Sequence, residues 1–226
     1  MDSMQLLIKL SEVGADDSVL DVACGPGLVA CEFAKHGKHV TGIDITPAMI
    51  EQAVNAQNSK GLINMSWDTG EAYPLPYADG SFDLVITRYS FHHFRRPWKA
   101  LKEMIRVCRT GGRVLAADVA VKPEHSEDYD ALEMIRDPSH VHALTTAEFQ
   151  DMFQRSGLKM CTQSGYGIDI ELESQIRASF PAEGGEAKIR EIINGDIGRN
   201  SLGINARRQK DEVWYTVPIA VYTGVK

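Results

Sequence analysis

The chain has 226 residues, 43% of them hydrophobic and 24% charged, with 24 Lys+Arg against 31 Asp+Glu for a formal net charge of -7. That length and apolar content suit one domain with a sizeable core and exclude disordered, collagen-like and coiled-coil classes. The acidic balance argues against a nucleic-acid or anionic-membrane binder, and no apolar run reaches the length of a membrane span.

Residues 6–10 are apolar and predict a short helix packed on the domain. Residues 19–23 read as a buried strand broken by Gly25-Pro26-Gly27. A helix is expected over 28–36 with Gly37 as its C-cap, then a strand over 39–45. Thr46 is placed to cap the next helix, with Pro47 at its first position, running to about Asn58 before Gly61. A short strand over 63–67 leads into a Pro/Gly-rich loop, 71–80, and residues 82–87 form another strand. Residues 97–109 read as an amphipathic helix with Leu101, Met104, Ile105 and Cys108 on one face, followed by a fifth buried strand over 114–119. This alternation predicts a parallel sheet covered by helices on both faces.

Later segments read differently. Residues 124–136 look helical, Thr145 and Glu148 form a capping box for a helix ending near Gly157, and 158–164 reads as a strand. Residues 171–194 are polar and helix-leaning, interrupted by Pro181 and Gly184-Gly185. Residues 201–207 and 213–223 read as two strands joined by a polar turn. One domain over 1–226 is expected: a cap helix at 1–14, a core at 15–119, insertions and substrate-side elements at 120–200 and a strand pair at 201–226. The cysteines Cys24, Cys31, Cys108 and Cys161 form no CxxC pair and suggest neither a zinc site nor a disulfide framework, so reduced thiols in a cytoplasm are expected. Met1-Asp2-Ser3-Met4 lacks the basic start of a signal peptide.

The strongest local feature is Val19-Leu20-Asp21-Val22-Ala23-Cys24-Gly25-Pro26-Gly27. A strand ends in a glycine turn that opens a helix, whose unpaired N–H groups and close backbone approach suit a ligand. Asp44 ends the next strand, where a carboxylate can accept both hydroxyls of a ribose. Gly25-Pro26-Gly27-Leu28-Val29-Ala30 also fits a dinucleotide fingerprint, so a nicotinamide-dependent oxidoreductase stands as an alternative. Asp21, inside the first strand, can organise the loop or meet a cationic group. The third strand leads into Leu75-Pro76-Tyr77-Ala78-Asp79-Gly80, and the fourth into Arg88-Tyr89-Ser90-Phe91-His92-His93.

Together these segments resemble the class I S-adenosylmethionine-dependent methyltransferases, in particular the branch of the ubiquinone/menaquinone biosynthesis C-methyltransferases and their small bacterial relatives, over about residues 15–165. The resemblance implies a Rossmann-like α/β fold: a mostly parallel seven-stranded sheet with helices on both faces and an antiparallel C-terminal strand. It implies that Ala23, Gly25 and Gly27 line the methionine and ribose parts of S-adenosylmethionine, that Asp44 holds the ribose, and that Ile45 and Met49 lie near adenine or ribose. Glu71 and Ala72 would meet the adenine edge, with Asp68 competing for that place, and Arg88 would offer its carbonyl to the cofactor's amino group.

Methyl transfer needs alignment first, and a base only where the nucleophile must lose a proton. His92, His93 and His140 are the candidate bases. Tyr89, His93 and His140 are candidates for touching the acceptor. No metal constellation is evident. The expected partner is a small-molecule methyl acceptor attacking through O, N or C, with no nucleic acid because no basic patch is visible, and the chain is expected as a monomer or homodimer. A non-catalytic module that binds S-adenosylmethionine is the further alternative. Only 18 residues precede the first expected strand. The acceptor pocket is therefore more open than in longer relatives, or covered by residues 6–13, or covered by a partner chain.

Overall fold

The computed structural model describes residues 3–226. Helix α1 (Ser3–Ser11) precedes β1 (Ser18–Val22), α2 (Leu28–Phe33), β2 (His39–Asp44), α3 (Pro47–Ser59), β3 (Met65–Thr69), β4 (Phe82–Arg88), α4 (Pro97–Val107) and β5 (Cys108–Val119). Then come α5 (Ser126–Arg136), α6 (Thr146–Gln154), β6 (Lys159–Glu171), α7 (Leu172–Arg177), α8 (Gly185–Asp196), β7 (Arg207–Gln209) and β8 (Glu212–Val225). The strands lie in the order β3-β2-β1-β4-β5-β8-β6. The first five are parallel, and β8 runs antiparallel between β5 and β6. This is the expected seven-stranded sheet, with short β7 added as a hairpin on β8. The chain moves outward from β1 to β3 and then returns beside β1 as β4. That reversal opens a crevice at the carboxyl ends of β1 and β4.

Central strands are apolar on both faces because helices cover both. Leu84, Ile86, Leu115 and Ala117 point into one core cluster with Phe33 and Leu7, while Val85, Val114 and Ala116 point into the other with Leu101, Met104 and Phe149. Asp21 and Asp118 interrupt these runs, each almost fully buried. Helix α1 packs against α2, β5 and β8 through Leu7, Ile8 and Leu10. The apolar side chains of residues 6–13 thus pack on the sheet rather than forming a lid, and Ser3 accepts a bond from Arg88. Met1 and Asp2, part of the expected 1–14 cap, lie outside the described residues.

Several local expectations need correction. Gly37 is not the cap of α2; the helix closes at Ala34, whose N–H already returns to Ala30 O. Thr46 occupies the N-cap position of α3 without a side-chain cap bond; its own N–H is held by Asp44 instead. Cys108 opens β5 rather than closing α4, and Ile105 is only half-buried. The strand begun at residue 158 continues to Glu171, so helix follows only from Leu172. Residues 201–204 form a turn, tied by the Asp196 carboxylate to the Ser201 and Leu202 N–H groups, and the strand there shrinks to β7. By contrast the Thr145–Glu148 capping box forms in both directions.

One ion-pair clamp fixes the amino ends of β1 and β4. Asp83 accepts from the Ser18 N–H (2.9 Å), the Ser18 hydroxyl (2.6 Å) and Arg109. Burial opposes ionisation, but these bonds win and hold the Asp83 carboxyl at about 2. A depressed carboxylate stabilises fully above its unfolded value near 3.8 and loses that stabilisation as pH falls towards 2. Asp83→Ala should therefore cost about 2 kcal/mol at neutral pH and flatten the acid limb between those values. Urea melts of both proteins across that range read the difference.

Candidate active site

β1 ends at Val22 and the chain turns at once through left-handed backbone: Ala23, Gly25 and Gly27 have φ of 55°, 52° and 79°. Such a conformation at a non-glycine residue is strained, and it brings Ala23 to the mouth of a cleft. The two glycines differ. A Cβ at Gly25 would meet nothing within 4 Å, so the loop leaves an open cradle there. A Cβ at Gly27 would lie 2.7 Å from Trp67 and 2.9 Å from Ala53. Gly27→Ala should destabilise by about 2–4 kcal/mol through strain plus overpacking. Gly25→Ala should cost only about 1 kcal/mol while blocking the cradle. Thermal melts paired with ligand titration separate the two.

Asp44, at the carboxyl end of β2, organises this turn. One carboxylate oxygen accepts from the Gly25 N–H (2.8 Å), and the other from the Thr46 N–H (2.9 Å). The residue is buried, and its neighbour Ile45 lines the cleft. Asp21 lies deeper. Its Oδ2 is buried with no hydrogen-bond partner. Burial pushes its carboxyl up to about 8, with the Asp44 charge adding to the rise and the Ala30 N–H opposing it. An unpartnered buried carboxyl beside a glycine cradle fits a ligand that carries an ammonium group.

Ala23, Ile45, Glu71 and Ala72 come together on one cleft of about 460 Å³, with His93 and Phe94. Ile45 is 65% exposed there, leaving an apolar face for a flat ring. Glu71, rather than Asp68, reaches this cleft, because Asp68 accepts from the Tyr77 hydroxyl (2.7 Å). Met49 sits half-buried in the first turn of α3, outside the residues lining the cleft. Arg88 ends β4. Its guanidinium lies over the Tyr89 ring at 4.2 Å and donates to the Tyr89 hydroxyl (2.9 Å), which also bonds the Tyr166 hydroxyl (2.7 Å).

The histidines sit beyond β4. His92 Nδ1 lies 2.6 Å from Asp118 Oδ1, and Asp118 also accepts from the Phe91 N–H (2.6 Å) and the Val119 N–H (2.7 Å). A carboxylate so used makes Nδ1 the donor and leaves Nε2 bare. Burial works against a charge on His92, but Asp118 outweighs it and raises its pKa above the usual value. His93 is moved the other way, by burial and then by its neighbour His92. The two rings are 4.1 Å apart between centroids. His92 lines a second cavity of about 210 Å³, while His93 lines the first, so the pair forms the wall between them.

His140 stands behind that wall. It is buried, stacks on His92 at 5.7 Å, and bonds Asp130 (2.7 Å), which also holds His142 (2.6 Å). It does not line the second cavity, so its placement suits support of His92 rather than contact with an acceptor. Residues of α5, α7 and the facing ends of β6 and β8 line that cavity, and no described residue of the N-terminal segment does. Tyr89 lines it; Asp118, Tyr129, Glu133, Arg136 and Tyr215, which also line it, were not singled out from the sequence. Asp118 carried the same signal as Asp21, an acid in an apolar strand. Nothing local marked the others. A further correction concerns charge: Arg96, Lys99, Lys102 and Arg155 gather around one surface groove, a basic patch that linear reading did not reveal.

A β3-β2-β1-β4-β5-β8-β6 sheet with one reversed strand in that path, a glycine turn after β1 and an acid ending β2 defines the class of Rossmann-like methyltransferases. Residues 20–116 match the methyltransferase-domain family. The chain is 30% identical over 229 residues to the uncharacterized methyltransferase YcgJ of Bacillus subtilis, covering 100% of this chain and 90% of that protein, and it belongs to that methyltransferase family. The crystal structure of YcgJ superposes with a TM-score of 0.90 at 28% identity, covering 99% of this chain and 97% of that one. The ubiquinone/menaquinone biosynthesis C-methyltransferase UbiE of Bdellovibrio bacteriovorus is 38% identical over 114 residues, which is 50% of this chain and 48% of that protein. Among the described residues no helix is long and apolar enough to cross a membrane.

Proposed function

We propose that this methyltransferase binds S-adenosylmethionine in the cleft at Ala23, Ile45, Glu71 and Ala72 and methylates a small molecule held in the cavity beside His92. The observation that carries the reading is the histidine wall. Two cavities, one beside the glycine turn and one of acceptor size, meet at rings 4.1 Å apart. A non-catalytic binding module has no use for the second cavity. When bound, S-adenosylmethionine supplies a methyl on a sulfonium: the acceptor's lone pair takes the methyl carbon, and the carbon–sulfur electrons stay on sulfur as a neutral thioether.

The chain's residues bind and align. Asp44 holds the ribose hydroxyls with the lone pairs its two backbone bonds leave free. Asp21 answers the ammonium, Arg88 offers its carbonyl to the same group, and Glu71 and Ala72 meet the adenine edge. His92, held by Asp118, takes the acceptor's proton at Nε2. Tyr89, on the cavity wall, is held in place by its hydrogen bond with the Tyr166 hydroxyl.

Calorimetric titration with S-adenosylmethionine, S-adenosylhomocysteine and NADH tests the reading. Micromolar binding of the first two is expected, with a proton released near pH 7 as the ligand's ammonium ionises Asp21. Titrations in two buffers of different ionisation enthalpy read that proton. Binding of NADH alone would sink the proposal.

A further inference from the structure

The cavity that His92 lines also carries a set of hydrogen-bond donors that no protein group uses. Tyr129 and Tyr215 line it with 3% and 4% exposure, and neither hydroxyl has a hydrogen-bond partner among the described residues. Burial holds both phenols above their usual range, so both keep their protons. Arg136 donates through Nε and Nη2 to Glu133, at 3.0 and 2.5 Å. Both Glu133 oxygens are taken by this fork. The fork orients the guanidinium and leaves its Nη1 edge without a protein partner among the described residues. Ile168, Ile170, Val217 and Ile219 add an apolar face, beside the amide of Gln175.

These donors select the ligand group. Two phenol hydroxyls and a guanidinium edge offer protons, and both carboxylates on the wall are already paired, Glu133 with Arg136 and Asp118 with His92. A carboxylate satisfies all three; an ammonium satisfies none. His92, on the same cavity, is the base. An imidazole can take a proton from a phenol, whose pKa lies near 10, far more readily than from an alkyl alcohol. A volume of about 210 Å³ admits one substituted ring. We infer that the acceptor is a small phenolic carboxylic acid, its carboxylate on Arg136, Tyr129 and Tyr215 and its hydroxyl towards His92. The inference rests on the methyl-transfer reading and narrows it.

The experiment is calorimetry on the protein saturated with S-adenosylhomocysteine, titrated with 2-, 3- and 4-hydroxybenzoate, with 4-hydroxyphenylacetate, and with tyramine, which replaces the last one's carboxylate by an ammonium. At least one acid should bind, and tyramine at least roughly tenfold more weakly than its matched acid. Tyr129→Phe and Tyr215→Phe should each weaken the acid several-fold, and Arg136→Gln by roughly tenfold or more, while S-adenosylhomocysteine affinity stays constant. Should Arg136→Gln fail to fold, because Glu133 loses its partner, the two tyrosine variants still decide. Tyramine binding more tightly than the acid, acid affinity unchanged in the variants, or no acid binding to the loaded protein would each overturn the inference alone. Failure of S-adenosylhomocysteine itself to bind takes down the methyl-transfer reading and this one together.

Discussion

Asp44→Ala should lower the affinity for S-adenosylmethionine and S-adenosylhomocysteine by at least about a hundredfold, read by calorimetry. The carboxylate already accepts the Gly25 and Thr46 N–H groups, one on each oxygen. Each oxygen keeps a lone pair, and a ribose diol supplies two hydroxyls to meet them. Bonds to a charged acceptor contribute roughly 1.5–3 kcal/mol each, so losing two exceeds the hundredfold mark. Alanine also frees the two N–H groups and loosens the turn that cradles the ligand. Asp44→Asn separates these effects. It preserves shape but offers only one acceptor oxygen, so it should fall between wild type and alanine. Circular dichroism confirms that each variant is folded. Affinity within threefold of wild type in Asp44→Ala would remove this residue from the binding site.

The second large effect belongs to the His92–Asp118 pair. With an acceptor found by mass-spectrometric screening, His92→Ala should lower kcat by roughly two to four orders of magnitude. Asp118→Asn should also lower kcat, because an amide no longer compels Nδ1 to be the protonated nitrogen and no longer favours the imidazolium. A base acts in its neutral form, so activity rises with pH through the His92 pKa. In the wild type that rise lies above the ordinary histidine value, since Asp118 lifts the pKa. In Asp118→Asn the rise should move to lower pH while its plateau drops. A merely structural Asp118 would lower the plateau without moving the limb. A His92→Ala enzyme that keeps its rate would mean that alignment alone drives the transfer.

His140 shows why the histidines could not be ranked from the sequence. All three candidates sit near turns in polar company. What separates them is the course of residues 137–142, whose Val141 and His142 N–H groups bond back to His92 O and dock the segment behind the wall. His140 is thereby turned to Asp130, and His93 to the first cleft. Likewise Asp68 and Glu71 are equally acidic and only three residues apart, yet Asp68 accepts from the Tyr77 hydroxyl while Glu71 lines the first cleft.

Patterns of short range were legible directly. Apolar runs of five or six residues determine β1, β2, β4 and β5, because a strand covered on both faces must be apolar throughout, and the glycines after β1 mark a turn that must tolerate positive φ. The same reasoning finds Asp21 and Asp44, since an acid inside or at the end of such a run needs a reason to be there. The Thr145–Glu148 box is local by construction. The cavity beside His92 is of another kind. Tyr129, Glu133 and Arg136 come from α5, Gln175 from α7 and Tyr215 from β8, brought together only when β8 inserts antiparallel between β5 and β6. Each of these residues alone looks like an ordinary amphipathic side chain. Their unspent donors exist only as a set, and long-range packing is what assembles the set.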